Sequence, residues 1–356
     1  MDGIDFSLIN SDGNKKIFCK YNITYQYPQE IKNDLNRLII SLNSNNVRKV
    51  LESKNYKYIE NKFESFLKKK IQLFTSTFNI SSNQIQLVGF HGQTLLHNPQ
   101  DKISIQLGNA KKLSNYFNVP FVSNFRQADL DFGGQGAPLV PIYHKAIFSD
   151  KKFNLAVVNL GGISNVTWVL KDGRIFATDI GPGNVLIDSF CKLNLDIPYD
   201  ENGQLASKGE VQDKLINKWL RFPSINNSIP KSFDNYEFKI EDFIKNTSRF
   251  NKFDLLATLT NYTARIVINS QVLINKKIDK WIICGGGSKN LTLINYMKSL
   301  TKNVYISNEL GWDADFIESQ AFAYLAIRKL KKLKSSFQET TGTKKPTECG
   351  DIFYPN

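Results

Sequence analysis

Residues 156–187, AVVNLGGISNVTWVLKDGRIFATDIGPGNVLI, narrow the fold more than any other part of the chain. They read as an apolar strand, a glycine pair, a second strand, an Asp172, Gly173 hairpin turn, a third strand, and a carboxylate just ahead of a second glycine turn. An Asp-Gly pair between alternating segments is a strong hairpin signal. The pattern predicts an antiparallel meander that holds two glycine turns close together. Gly161 and Gly162 let backbone N–H groups approach a ligand with no Cβ in the way, and Asp179 stands at a strand end before Gly181 and Gly183. This layout suits nucleotide phosphates beside a carboxylate.

The opening of the chain echoes this meander. Residues 3–10 alternate as a strand, residues 11–14 turn, and residues 16–25 return. In the later half a further strand, residues 154–159, precedes the glycine turn; in the first half Met1, Asp2 and Gly3 already occupy the turn, so the equivalent leading strand is missing and an upstream start is expected. The remainder alternates. Residues 31–43 and 60–78 have helical spacing, residues 86–90 and 119–123 are short apolar strands, and Ile282 and Ile283 end a strand at a run of three glycines. A helix follows over about 290–300, and Ile317, Ala321, Tyr324 and Leu325 recur at helical spacing. Two α/β lobes that each begin with a meander are the actin-like architecture of sugar kinases and chaperone ATPases, two RNase H-like lobes with a cleft between them. Lobe I is expected over 1–130, with 315–356 returning to it, and lobe II over 131–314. Residues 339–356 read as a surface tail or a closing strand.

At 356 residues and 41% hydrophobic content the chain can bury two cores. Its longest apolar runs fall far short of the ~20 residues a membrane helix needs. Acids at Asp2 and Asp5 stand where a secretory leader would be basic, so a cytoplasmic protein without a membrane partner is expected. Cys19, Cys191, Cys284 and Cys349 lie far apart and read as reduced, structural thiols. The net charge of +13 is spread along the chain rather than clustered, so no nucleic-acid partner is expected. Residues 328–334 read as the solvated, basic end of a helix.

No G-x-x-x-x-G-K-[ST] is present, and neither GPGNVL nor GGGSKN completes G-x-G-x-x-G. An actin-like chain grips phosphates with two hairpin turns and adenosine with a glycine-rich strand end. The candidates here are Asp2, Gly3 and Asp5 in the first half, Asn159, Gly161, Gly162, Gly181, Gly183 and Asn184 in the meander, and Gly285, Gly286 and Gly287. Asp179 either caps a turn or serves as a general base on a rigid turn poor in side chains. His91, Gln93 and Thr94 end a strand with hydrogen-bonding groups suited to a polyhydroxyl substrate. Arg126, Asp129 and Gly133 supply a fixed cation, an acid and close backbone approach, or else a salt-bridged loop.

The strings GFHGQTLLHNP, SIQLGNA, NFRQADLDFGGQGAPLVP, VVNLGGISNVT, TDIGPGN, DLLATLTNYTA, IICGGGSKN and DADFIESQAFAYLA closely resemble the anhydro-N-acetylmuramic acid kinases over nearly the whole chain. The resemblance implies a cytoplasmic homodimer in a bacterium that recycles its cell wall. The implied reaction takes 1,6-anhydro-N-acetylmuramic acid, water and ATP, with Mg2+, to N-acetylmuramic acid 6-phosphate and ADP. A base removes a proton from water, the water attacks the anomeric carbon, and the departing O6 takes the γ-phosphoryl group. Since O6 passes its developing charge to phosphorus, no acid is needed opposite the base, unlike an inverting glycosidase. By match to the family motif Asp179 is that base, and Glu318 is the candidate for positioning Mg2+ or its waters. The chain departs from the family after Pro230, Lys231 and Ser232, where Phe233, Asp234 and Asn235 replace the usual Thr-Gly-Arg. The rival readings are a kinase of another 1,6-anhydrosugar such as levoglucosan, and a nucleotide-binding homologue impaired in catalysis by the shortened N-terminal turn.

Overall fold

The computed structural model describes residues 3–44, 46–221, 229–233 and 237–356. Asp2, Asp234 and Asn235 therefore lie outside the described residues. The strands are β1 (Gly3–Ser11), β2 (Ile17–Gln26), β3 (Val88–Gly89), β4 (Gln93–Asn98), β5 (Ile103–Leu107), β6 (Phe121–Ser123), β7 (Leu155–Leu160), β8 (Ile163–Val169), β9 (Ile175–Pro182), β10 (Lys280–Cys284), β11 (Val304–Ile306) and β12 (Asp351–Phe353). The chain divides into two compact units, Met1–Ile147 with Glu318–Asn356, and Phe148–Ile317. Among the described residues no helix is long and apolar enough to cross a membrane.

In the first unit β1 and β2 form an antiparallel hairpin, closed where Asp12 Oδ1 accepts the N–H groups of Asn14 (2.8 Å) and Lys16 (3.1 Å). A second sheet has the order β12-β6-β3, and β4 pairs with β5. The amphipathic helices Gln29–Ser44 and Lys54–Thr77 close over Leu35, Leu38, Phe63, Leu67 and Phe121, none more than 2% exposed. Ser53 fixes the start of the longer helix by accepting the Tyr56 N–H at 3.1 Å. β3 is shorter than its apolar run because β6 pairs with it only at Val88 and Gly89. A cavity of about 460 Å³ lies between β1 and β3, with Leu67 and Phe74 of one helix and Phe322 of the helix Ile317–Leu330 in its walls.

Two expectations are corrected in this unit. The boundary expected at 130 falls inside it, since Gln135 N–H donates to Thr341 O at 2.7 Å and the Tyr143 hydroxyl bonds Gln320 at 2.8 Å, tying residues 131–147 to the C-terminal segment. Arg328 is not a solvated helix end. It is 8% exposed, and its guanidinium donates to Gly13 O (2.7 Å) and Lys334 O (3.0 Å), so the basic run pins the β1–β2 turn. The C-terminal segment closes the sheet, with β12 antiparallel to β6.

The second unit is one five-stranded sheet, order β11-β10-β7-β8-β9. The predicted meander is β7-β8-β9, antiparallel throughout, and β10 adds to β7 in parallel after a helical crossover. β7 is a near-continuous apolar run because it is central and covered on both faces. The helix Lys252–Asn269, capped by Asn251 accepting the Asp254 N–H at 2.8 Å, buries Leu256, Leu259, Tyr262 and Val267 in a core shared with Trp168 and Trp281. β9 is the edge strand, and Ile180 forms a bulge where the register shifts between Asn165, opposite Asp179, and Ser164, opposite Gly181. Bulges re-aim side chains, and this one sits beside the Asp179 carboxylate. All four cysteines are free thiols.

Candidate active site

In the second unit the structure brings the glycine turns together. Gly183 N–H donates to Gly162 O and Asn184 N–H to Gly161 O, both at 2.8 Å, and the Asn184 side-chain amide donates to Leu160 O at 3.2 Å. A Cβ on Gly183 would lie 2.4 Å from Gly161 O, so only glycine lets the turns meet. The backbone N–H groups of Gly183 and Asn184 are committed to protein carbonyls, so these two residues brace the Gly161, Gly162 turn. Gly285 has φ +78°, and a Cβ there would fall 2.1 Å from Asn159 Oδ1; one on Gly287 would meet Leu160 Cβ at 2.6 Å. Gly286 is different, with nothing within 4 Å of its Cβ position. The three glycines divide their work: two permit close packing of β10 onto the Asn159 turn, and the middle one faces open space from which a ligand can approach.

Asp179 sits on β9 two residues before Gly181. Burial pushes its carboxyl up to about 6, against the Phe233 N–H and the Lys231 charge, which favour the anion, and with Glu237, which disfavours it. The Phe233 N–H donates to Asp179 Oδ2 at 2.8 Å. Asp179 N–H donates to Lys231 O at 3.1 Å, and Lys231 N–H donates to Thr178 Oγ1 at 2.9 Å. A carboxylate so placed is ionised at neutral pH yet more basic than an ordinary aspartate, as a general base requires. Sequence reasoning passed over Lys231 and the Phe233 N–H; the unusual residues after Ser232 were the only signal there.

In the first unit His91, Gln93, Thr94, Arg126 and Glu318 line the same cavity, together with Gly3 and Asp5. Arg126 Nε donates to His91 Nε2 at 3.2 Å, while His91 Nδ1 lies 2.8 Å from Gly92 O. These two bonds specify the neutral ring with its proton on Nδ1. Burial and the Arg126 charge lower the His91 pKa to about 3, consistent with that tautomer. The Tyr27 hydroxyl donates to Gln93 Oε1 at 3.2 Å, and Gln106 Nε2 lies 3.5 Å from Thr94 Oγ1. Glu318, exposed at the first turn of its helix, is held above the usual carboxylate range by its crowded surroundings; Arg126 opposes this and Asp5 adds to it. A carboxylate whose proton affinity is raised by a second one nearby suits a cation held partly through water, as Mg2+ is. Among the described residues no three-ligand metal cage is present.

Asp129 and Gly133 do not join this cluster. Asp129 is 0% exposed, accepting the Gly136 N–H at 2.7 Å and the Thr341 hydroxyl at 2.6 Å, and a Cβ on Gly134 would fall 2.1 Å from its Oδ2. It is a structural anchor for the loop. Gly133, at φ +79°, turns the chain against Lys344.

The family model for anhydro-N-acetylmuramic acid kinase matches residues 1–355. A relative bearing that name from Pelagibacter ubique (strain HTCC1062) is 39% identical over 370 aligned positions, covering 98% of this chain and 94% of its own. Another, from Bradyrhizobium diazoefficiens (strain USDA 110), is 32% identical and covers 100% of this chain and 96% of its own. A third, from Rhodopseudomonas palustris (strain CGA009), is 39% identical over 80% of this chain and 78% of its own. A distant solved structure is the xylulose kinase of Rhodospirillum rubrum, with 10% identity, TM-score 0.33, and coverage of 65% of this chain and 48% of that one. A match that runs from end to end, with relatives collinear over almost their full length, makes this chain a member of the anhydro-N-acetylmuramic acid kinase family.

Proposed function

We propose that this protein is an ATP-dependent kinase that opens 1,6-anhydro-N-acetylmuramic acid with water and phosphorylates O6, yielding N-acetylmuramic acid 6-phosphate for cell-wall recycling. We place it in the bacterial cytoplasm as a homodimer. The observation that carries the reading is Asp179: a half-buried carboxylate raised to a pKa of about 6, aimed by the Ile180 bulge and held beside two glycine turns braced against each other.

Each part of the chain has a role in that reaction. The Asp179 carboxylate takes the proton from water as the water attacks the anomeric carbon. The Gly161, Gly162 turn and the open face of Gly286 receive the nucleotide. Arg126, fixed by its bond to His91, presents its remaining guanidinium donors to a polar sugar, with Gln93 and Thr94 beside it. Glu318 and Asp5 would hold Mg2+, which neutralises phosphate charge when bound. One carboxylate suffices, since the leaving oxygen finds its charge partner at phosphorus.

ADP release from purified protein tests the assignment. Turnover is expected to require 1,6-anhydro-N-acetylmuramic acid, and levoglucosan should serve at least ~10-fold less well, because a site built to bond polar substituents rejects analogues that lack them. Equal turnover of levoglucosan would shift the assignment to another anhydrosugar, and ADP release without any sugar would refute coupling. Since the base acts as the anion, kcat/KM should fall below about pH 6 as Asp179 takes up its proton.

A further inference from the structure

The outer edge of β9 is covered by residues 229–233, and the contacts concentrate on Thr178 and Asp179. Three backbone groups of that segment are used: Lys231 O accepts from Asp179 N–H (3.1 Å), Lys231 N–H donates to Thr178 Oγ1 (2.9 Å), and Phe233 N–H donates to Asp179 Oδ2 (2.8 Å). The Lys231 ammonium lies 5.1 Å from the Phe233 ring centroid, a cation–π distance. The segment thus grips the carboxylate through one N–H and seats a cation on the aromatic side chain of the residue that supplies it. Lys231 is half-buried, so its charge is only partly screened by water.

We propose that Lys231 is a positioning residue for Asp179: its backbone locks the carboxylate's strand and its ammonium, seated on Phe233, keeps the carboxylate ionised. The inference rests on Asp179 being the base. Among the described residues the charged groups felt by Asp179 are Lys231 and Glu237, and they act in opposite senses; the residue across the ladder, Asn165, is neutral. Burial in turn lowers the Lys231 pKa and Asp179 restores it, so each group holds the other charged. Without the cation, burial and Glu237 act unopposed by it, and the carboxylate keeps its proton to higher pH.

The test uses Lys231→Met and Lys231→Arg in the full chain, with two readouts. The first is the acid limb of kcat/KM against pH; the second is the NMR titration of a 13C-labelled Asp179 carboxyl, which needs no turnover. Lys231→Met should move both midpoints up by about one pH unit, a tenfold loss of rate below the limb, with a far smaller loss above it; Lys231→Arg should return both toward wild type. Phe233→Ala keeps the backbone N–H and removes the ring, so it should shift both in the same direction by less. A carboxyl midpoint that stays in place or moves down in Lys231→Met overturns the proposal. If the carboxyl midpoint rises while the rate limb does not, the proposal stands and Asp179 loses its role as the base.

Discussion

Asp179→Asn is expected to reduce kcat by at least ~10³, about 4 kcal/mol of transition-state stabilisation, the scale of a positioned general base. The amide has nearly the same shape as the carboxylate and keeps an oxygen for the Phe233 N–H, so the bracket around β9 has no reason to open. It also removes a half-buried ionisable group, so thermal stability should not fall by much. What is lost is the ability to take a proton from water. The KM for ATP should change little, because the glycine turns are braced by backbone bonds that do not involve the Asp179 side chain. Steady-state ADP release with saturating anhydrosugar measures the effect, and turnover within tenfold of wild type would remove Asp179 from the reaction.

The second large effect is expected from Gly183→Ala. The added methyl carbon would stand 2.4 Å from Gly161 O, 2.9 Å from Ser164 Oγ and 3.1 Å from Gly162 O. Two of these are backbone atoms of the opposite turn, so relief requires the turns to part and the bonds Gly183 N–H to Gly162 O and Asn184 N–H to Gly161 O to lengthen. Overpacking of this kind costs about 2–3 kcal/mol, which for a unit of this size lowers Tm by roughly 5–10 °C. Gly286→Ala is the matched control. Nothing lies within 4 Å of its Cβ position, so stability should stay within about 0.5 kcal/mol. Its KM for ATP should nonetheless rise, since the methyl group projects where the ligand approaches. Calorimetry on both variants checks the pair, and an unchanged Tm in Gly183→Ala would contradict the bracing of the two turns.

The meander was legible because three cues agree in one short stretch: strand alternation, an Asp-Gly turn, and glycines where backbones must meet. The strand β10 and the helix Leu291–Leu300 that follows its glycines could be read for similar local reasons. What could not be read depends on partners remote in sequence. Arg126 and Asp129 stand in one motif with equal claims on a substrate, yet Thr341 turns Asp129 into an anchor while Arg126 lines the cavity. Arg328 looked like a solvated charge until Gly13 and Lys334 supplied its acceptors. Lys231 lies in a stretch with no periodicity, and only its pairing with β9 gives it a meaning.

The proposed reaction turns on one proton transfer that commits water to the anomeric carbon while O6 departs with the phosphoryl group. Turnover in heavy-oxygen water, with rapid trapping of the sugar product and mass spectrometry of each fragment, tests it most directly. One heavy oxygen is expected on the anomeric carbon and none in the phosphate ester. Heavy oxygen in free phosphate, with the anhydro bridge intact, would contradict it.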